Sequence, residues 1–300
     1  MKKRSRRSFN SNSLLGVFLA IIPLIGFLIF GLTPLILSMI LSFSDPNGYQ
    51  FDGMTFVGMK NYIYVVTDPN FYKSVFNTFY AMLTIPITLV ISVVVANLLT
   101  KDNLKGKIFF RTVFFIPYVC SVVAVSFMWK FMLDGEFGII NTLLGYLGIN
   151  GPDWLGNPST FMPVMILMGV WSSLGFYIIL YSAALTNIDS TVYEAAEIDG
   201  ANGIVKFFKI TLPAISPTTF YLVIIGIIGG LQEFARFQIM APGGGPDNAG
   251  LTIVYYLYNM GFEQIVTMGM GMASAVSWIL TIAIMGITWA NFKASKAWVH

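Results

Sequence analysis

The chain has 300 residues, 56% hydrophobic and 10% charged, with a formal net charge of +3 and a mean hydropathy of +0.74. This composition excludes a compact water-soluble monomer and describes an integral membrane protein. A single cysteine, Cys120, excludes an internal disulfide or cysteine-based metal centre and reads as a small buried hydrophobe; the single histidine, His300, leaves no His-based metal site or internal Ser-His-Asp arrangement, so hydrolytic chemistry is not expected.

A spanning helix needs about 20 apolar residues, since about 30 Å of hydrocarbon is crossed at about 1.5 Å per residue. Six charge-free stretches qualify: Leu14 to Ser44, Ser74 to Thr100, Thr112 to Trp129, Trp154 to Ile188, Ile210 to Gln232 and Gln264 to Asn291. Backbone groups in lipid must be satisfied internally, and the alternating segments of a barrel are absent, so the chain reads as an all-α protein of six transmembrane helices. The first stretch follows Lys2, Lys3, Arg4, Arg6 and Arg7 like a signal peptide, but its apolar part is about twice the usual length and no A-x-A-like cleavage site follows. It reads as an uncleaved helix.

Thirteen of the seventeen basic residues fall on one side of this arrangement: the five before the first helix, Lys101 to Arg111, Lys206 with Lys209, and Lys293 with Lys296. Lys60, Lys73 and Lys130 fall on the other side, and Arg236 lies at the end of the fifth helix. The bias places both termini in the cytoplasm of a multi-pass protein. The external loops, Asp45 to Asn70 and Asp134 to Asp153, carry Gly, Pro and Asn turn chemistry. Asn248 to Phe262 is apolar but too short to span, and reads as an interfacial or pore-covering helix whose Tyr255, Tyr256 and Tyr258 are available to an external partner. One transmembrane domain, 14–292, is thus expected between a basic segment, 1–13, and a cytoplasmic tail, 293–300.

Between the fourth and fifth spans lies a polar hairpin, YEAAEIDGANGIVKFFKITLP, from Tyr193 to Pro213. Asp189 or Ser190 can cap a first short helix, Glu194 falls in its first turns, and Gly200 can take the left-handed conformation that ends it. Asn202 can cap a second short helix, and Pro213 stands where the fifth span can begin. Small Ala195, Ala196 and Ala201 keep the hairpin slim enough to enter a groove on another protein. Physics alone leaves an ordinary solvated loop equally open.

The order of residues is more specific. Glu194-Ala195-Ala196, three residues, Gly200, nine residues, then Ile210-x-Leu212-Pro213 resembles the EAA signature of permease subunits of bacterial ABC importers. Asp199-Gly200-Ala201 and Pro217 resemble its carbohydrate-permease form. Further similar passages are Phe56 to Tyr62, Phe110 to Pro117, Trp129 with Gly138 to Asn141, Trp154-Leu155, and Leu231 to Pro246, with Tyr255 and Phe262 beyond. The resemblance is to the first permease of oligosaccharide importers, of the maltose, glycerol-phosphate and multiple-sugar type. It implies a type I ABC importer permease fold in the bacterial cytoplasmic membrane, with residues 190–213 as coupling helices in a cleft of a cytoplasmic ATPase. It also implies a second permease subunit, two ATPase subunits, an extracytoplasmic solute-binding protein and a carbohydrate solute, and no nucleic acid. The nearest fragment to a Walker A loop, Gly106-Lys107, lacks the first glycine and the hydroxyl residue, so this chain binds no cofactor and ATP with Mg belongs to the partner ATPase.

A solute path needs inward polar or aromatic groups at membrane depth. Gln232, Glu233 and Arg236 cluster on the fifth helix, either lining the path or bracing its outer end as a self-neutralising i, i+3 pair. The resemblance places substrate contacts near Gly169, Ser172 and Ser173 and near Leu231 to Phe234; Gly, Leu and Phe stand where some relatives carry amides. Tyr177, Phe234 and Phe237 offer rings on which a sugar face can stack. Gly226-x3-Gly230 and the ladder Gly269, Ala273, Ser277 suit either internal helix packing or contact with a second permease. Two other classes are weighed against an importer permease. An ion-driven secondary transporter needs several mid-membrane ionisable residues, where only Glu233 and Arg236 are available; a scaffold or sensor needs a signalling domain.

Overall fold

The computed structural model describes residues 11–47, 50–100, 104–263 and 269–298. Lys2 to Arg7, Lys101, Gln264 and His300 lie outside the described residues. Helix α1 (Ser11–Phe27) continues through a π-helical turn into α2 (Thr33–Ser42), followed by an antiparallel hairpin of β1 (Ser44–Asn47) and β2 (Gln50–Phe56), with Ser44 opposite Phe56. Then come α3 (Lys60–Thr67), α4 (Pro69–Ala81), α5 (Thr84–Thr100), α6 (Lys107–Val119), α7 (Val122–Met132), α8 (Ile139–Tyr146) and α9 (Pro158–Thr186). The remaining helices are α10 (Ser190–Ile198), α11 (Gly203–Lys206), α12 (Leu212–Ala214), α13 (Ser216–Leu231), α14 (Ala235–Met240), α15 (Ile253–Tyr258) and α16 (Gly269–Ser295). Among the described residues four helices are long and apolar enough to cross a membrane, or six if each of two bent pairs is one span. The two-stranded hairpin is an addition to the expected all-α fold.

Two expected spans are not straight. The third, Thr112 to Trp129, divides into α6 and α7, whose axes differ by 98°. Pro117 lacks an N–H and its ring crowds the carbonyl four residues back, and the chain then runs extended through Cys120 (φ −66°, ψ 146°) and Ser121 (φ −57°, ψ 131°). Cys120 is therefore exposed at the break, not buried as expected. The fifth restarts at Ser216 with Pro217 in its first turn, bent by 64° from the helical segment Gly203–Ala214, so Pro213 lies before the bend and does not open the span. The apolar 248–262 segment does contain a short helix, α15, continued by a π-helical turn, Asn259–Glu263.

The chain divides into two compact units, Met1–Val65 with Met260–Trp278, and Val66–Asn259 with Ile279–His300. In the first, the Asn61 side chain donates to the carbonyls of Ser42 (3.1 Å) and Ser44 (2.9 Å), tying α3 to the end of α2 and to the hairpin. Gly271 packs where a Cβ would collide with the Ser44 carbonyl, and Trp278 donates to Ser38 Oγ at 3.2 Å. Ala273 is buried and faces Gly261, so this part of the Gly269 ladder serves internal packing. The apolar stretch Phe18–Ser42 is almost wholly exposed.

The second unit is built on α9, which is apolar all round and so belongs in the middle of a bundle. Its Tyr177, Ile178, Tyr181 and Leu185 pack with Val93, Ala96 and Leu99 of α5 and with Ile215 and Leu222 beside the fifth bend. Helix association in lipid depends on close packing rather than on escape from water. A Cβ on Gly175 would collide with the Phe114 carbonyl, so its absence lets α6 lie directly on α9. Asn77 of α4 donates to the carbonyls of Asn248 (2.7 Å) and Leu251 (3.0 Å), and Thr78 accepts from Ile253 N (2.9 Å), which fixes the glycine-rich turns against α4.

Candidate functional site

Two features of the second unit bear on function. The first is a cavity of about 550 Å³ enclosed by the α4–α5 junction, the α6–α7 break, α9, α13 and the start of α14. The glycines of Gly226-x3-Gly230 make the close approach here: added Cβ atoms would lie 2.9 Å from Tyr177 Oη and 2.9 Å from Met82 Cγ. Internal packing, not a contact with another subunit, accounts for this motif.

One wall is aromatic. Tyr118 and Phe176 stack with ring centroids 5.0 Å apart and planes 18° from parallel, and Tyr177 lies beside them. Neither Tyr118 nor Phe176 is among the expected site residues; their stacking joins α6 to α9, segments far apart in the chain. Polar groups line the same cavity one helical turn away. Ser172 and Ser173 donate to the carbonyls of Met168 (2.8 Å) and Gly169 (2.7 Å), leaving their lone pairs available, and Ser173 meets Thr88 Oγ1 at 3.2 Å. Thr84 Oγ1 is buried without a hydrogen-bond partner.

Glu233 and Arg236 also reach this cavity. They are not on the fifth helix as expected, since α13 ends at Leu231 and the chain turns before α14. Arg236 Nη2 lies 3.3 Å from Glu233 Oε2, with side-chain exposures of 10% and 28%. The pair is therefore an inward one and not a brace reaching out to water. The guanidinium also sits 5.7 Å from the Phe237 ring centroid, and its Nε is buried without a partner. A Cβ on Gly169 would lie 2.5 Å from Arg236 Nη1, so the glycine makes room for the arginine across α9.

Of the ten residues expected along the path, Gly169, Ser172, Ser173, Tyr177, Glu233 and Arg236 meet at this cavity. The other four do not. Leu231 is buried in packing, Gln232 is exposed elsewhere, Phe234 packs on Tyr255 and Tyr258, and Phe237 is fully buried against Phe161. The turn after Leu231 carries Gln232, Phe234 and Phe237 off the helical register of α13. Tyr255 and Tyr256 are likewise buried, Tyr256 donating to Asp68 Oδ2 at 2.6 Å, which removes them from an external contact surface.

The second feature is the polar hairpin. Asp189 caps α10 by accepting from Thr191 N at 3.0 Å, and that bond holds its carboxyl below its ordinary value. Gly200 ends the helix at φ +77°, and Asn202 caps α11 by accepting from Val205 N at 2.9 Å. Lys206 donates to Glu197 at 2.5 Å across the turn; this hydrogen bond and its charge lower the Glu197 pKa. Tyr193 Oη meets Thr211 Oγ1 at 2.9 Å at the base. Glu194, Ala195, Asp199 and Gly200 are exposed, while Ala196, Ala201, Ile210, Leu212 and Pro213 are half-buried. Ile198, Ile204 and Phe208, 87%, 71% and 61% exposed, add an apolar surface that the signature residues alone do not reveal.

The profile of the family described as "Binding-protein-dependent transport system inner membrane component" matches residues 70–292. Similar proteins include the arabinooligosaccharides transport system permease protein AraP of Halalkalibacterium halodurans, 33% identical over 93% of this chain and 88% of its own. The lactose transport system permease protein LacF of Rhizobium radiobacter is 31% identical over 99% of both chains. The diacetylchitobiose uptake system permease protein NgcF of Streptomyces coelicolor is 33% identical over 87% of this chain and 77% of its own. The crystal structure of a bacterial alginate ABC transporter, in complex with alginate pentasaccharide-bound periplasmic protein, contains a similarly folded chain: TM-score 0.81, 23% identity, 93% of each chain covered. This chain thus has the permease fold, and it belongs to the family of inner membrane components of binding-protein-dependent transport systems.

Proposed function

We propose that this chain is a permease subunit of an ATP-driven importer that moves a carbohydrate of di- or oligosaccharide size across the cytoplasmic membrane by alternating access. The observation that carries the solute class is the cavity lined by the Tyr118–Phe176 stack together with Ser172, Ser173, Thr84, Glu233 and Arg236. A pyranose presents an apolar face to rings and hydroxyls to polar groups, and this division suits it. The sugars in the names of the relatives, arabinooligosaccharides, lactose and diacetylchitobiose, support the same class. A glycerol phosphate would need a free cationic charge, and Arg236 is already engaged by Glu233.

Power comes from ATP and Mg held by two partner ATPase subunits. Residues 190–213 dock in a cleft of one of them, with Gly200 as the turn, Ala195 and Ala196 as the close-fitting surface and Glu194 as a charge for a basic partner. Both termini are cytoplasmic, the permease domain is 14–292, and a second permease and an extracytoplasmic binding protein complete the assembly. The test is uptake of labelled oligosaccharide into proteoliposomes holding the whole complex. Vanadate-sensitive uptake that depends on the binding protein is expected; uptake that survives vanadate and follows an ion gradient would overturn the reading.

A further inference from the structure

A second concavity lies along the α6–α9 pair and adjoins the solute cavity at Cys120, which lines both. Its floor and walls are Phe115, Ile116 and Val119 of α6, Cys120 at the α6–α7 break and Ile179 of α9, and its polar end is Arg111 with Thr112. Arg111, Phe115 and Val119 recur at i, i+4 and i+8, so they form one stripe along the helix. The stripe rises about 12 Å over eight residues, close to the depth of one leaflet of a hydrocarbon layer about 30 Å thick. The groove is thus shaped like an amphiphile, charged at one end and apolar along the rest.

The charge at its end has no protein counter-charge among the described residues. Arg111 Nε is buried without a hydrogen-bond partner. A guanidinium nitrogen buried without an acceptor is costly, and a phosphate supplies acceptor oxygens in a geometry that fits the fork of this half-buried arginine. The flanking residues Ile108, Phe109 and Val119 are 81%, 67% and 66% exposed, so the groove is continuous with the apolar surface that a membrane helix turns to lipid. Lys105 lies just before α6, and clustered bases at the end of a span attract anionic headgroups.

We propose that this groove binds one anionic membrane phospholipid, its phosphate on Arg111 and an acyl chain along Phe115, Ile116, Val119 and Ile179. With the orientation proposed above, the lipid belongs to the cytoplasmic leaflet; the binding itself does not depend on that orientation. A photo-crosslinking benzoylphenylalanine placed at Phe115 of the full chain, in membranes of cells labelled with radioactive phosphate, reads the occupant directly. The expected product is the single chain carrying phosphorus label, reduced about fivefold per inserted chain by Arg111→Gln and retained by Arg111→Lys. A product enlarged by a second polypeptide would make the groove a subunit interface, and a labelled product indifferent to Arg111→Gln would make it bulk lipid contact; either overturns the proposal. Should Arg111→Gln fail to insert, purified full-length protein carrying the same crosslinker at Phe115 is placed in phosphatidylcholine vesicles containing labelled phosphatidylglycerol. It must capture the phosphatidylglycerol above its share of the bilayer, and capture at or below that share sinks the assignment.

Discussion

The Glu233–Arg236 pair offers the sharpest test of the cavity. Glu233→Gln removes the counter-charge of an arginine whose side chain is only 10% exposed. Breaking a fully buried pair on one side costs about 3–5 kcal/mol, because the remaining charge is left unanswered. Here Glu233 is 28% exposed and faces a cavity with room for water, so screening reduces the expected loss to about 1–3 kcal/mol. Arg236→Met alone leaves a carboxylate that water reaches more easily, and a smaller loss is expected. Glu233→Gln with Arg236→Met removes both charges and should restore much of the stability, since replacing a whole buried pair is often close to neutral. The assay is thermal unfolding of the purified protein in one detergent, with the four forms set as a double-mutant cycle. Glu233→Gln should melt lowest and the double variant above it. If the single and double losses simply add, the two side chains are uncoupled and the inward ion pair does not exist in solution.

Gly200→Leu adds a side chain at φ +77° where no atom lies within 4 Å, so its cost is backbone strain of about 1–2 kcal/mol confined to the hairpin; membrane insertion should be unchanged while substrate-stimulated ATP hydrolysis by the assembled complex is lost, and retained stimulation would remove Gly200 from the coupling role. Because Lys206 depresses the Glu197 pKa, the contribution of their contact is complete above the ordinary value of 4.5 and disappears as pH falls through the lower folded value. Amide-exchange protection around residues 197–206 should hold from neutral pH down to that range and then fall, and Glu197→Gln should abolish this pH dependence. Pro117→Ala restores a helix N–H at the third span, and a straighter α6–α7 would lengthen the distance between spin labels at 108 and 131 from about 24 Å toward about 35 Å; an unchanged distance would assign the bend to packing alone.

Much of this protein is legible in its order of residues. The charge-free runs locate the spans because hydrocarbon tolerates no unpaired polar backbone, a constraint that acts on each segment separately. The hairpin is legible for a similar reason: Asp189, Gly200 and Asn202 act on atoms only a few residues away, so their roles as cap, left-handed turn and cap follow from local order. Six of the ten expected path residues reach the cavity, since helical spacing on α9 keeps Gly169, Ser172, Ser173 and Tyr177 on neighbouring turns.

What local order could not decide was direction. The 98° bend between α6 and α7 leaves Cys120 exposed, and the turn after Leu231 sends Glu233 and Arg236 inward while burying Phe237 elsewhere. A proline announces that a helix is weakened, but the angle of the break depends on which neighbours press on it. Likewise the sequence reads Gly169 as a path position and Gly226 as part of a close-packing motif without naming their neighbours, whereas in the fold Arg236 and Tyr177 occupy the space they leave. Local order suffices for which segments are apolar enough to cross a membrane and for how the hairpin is capped, because those features rest on residues close in the chain. What faces the cavity depends instead on packing between segments more than 50 residues apart, such as Gly169 with Arg236.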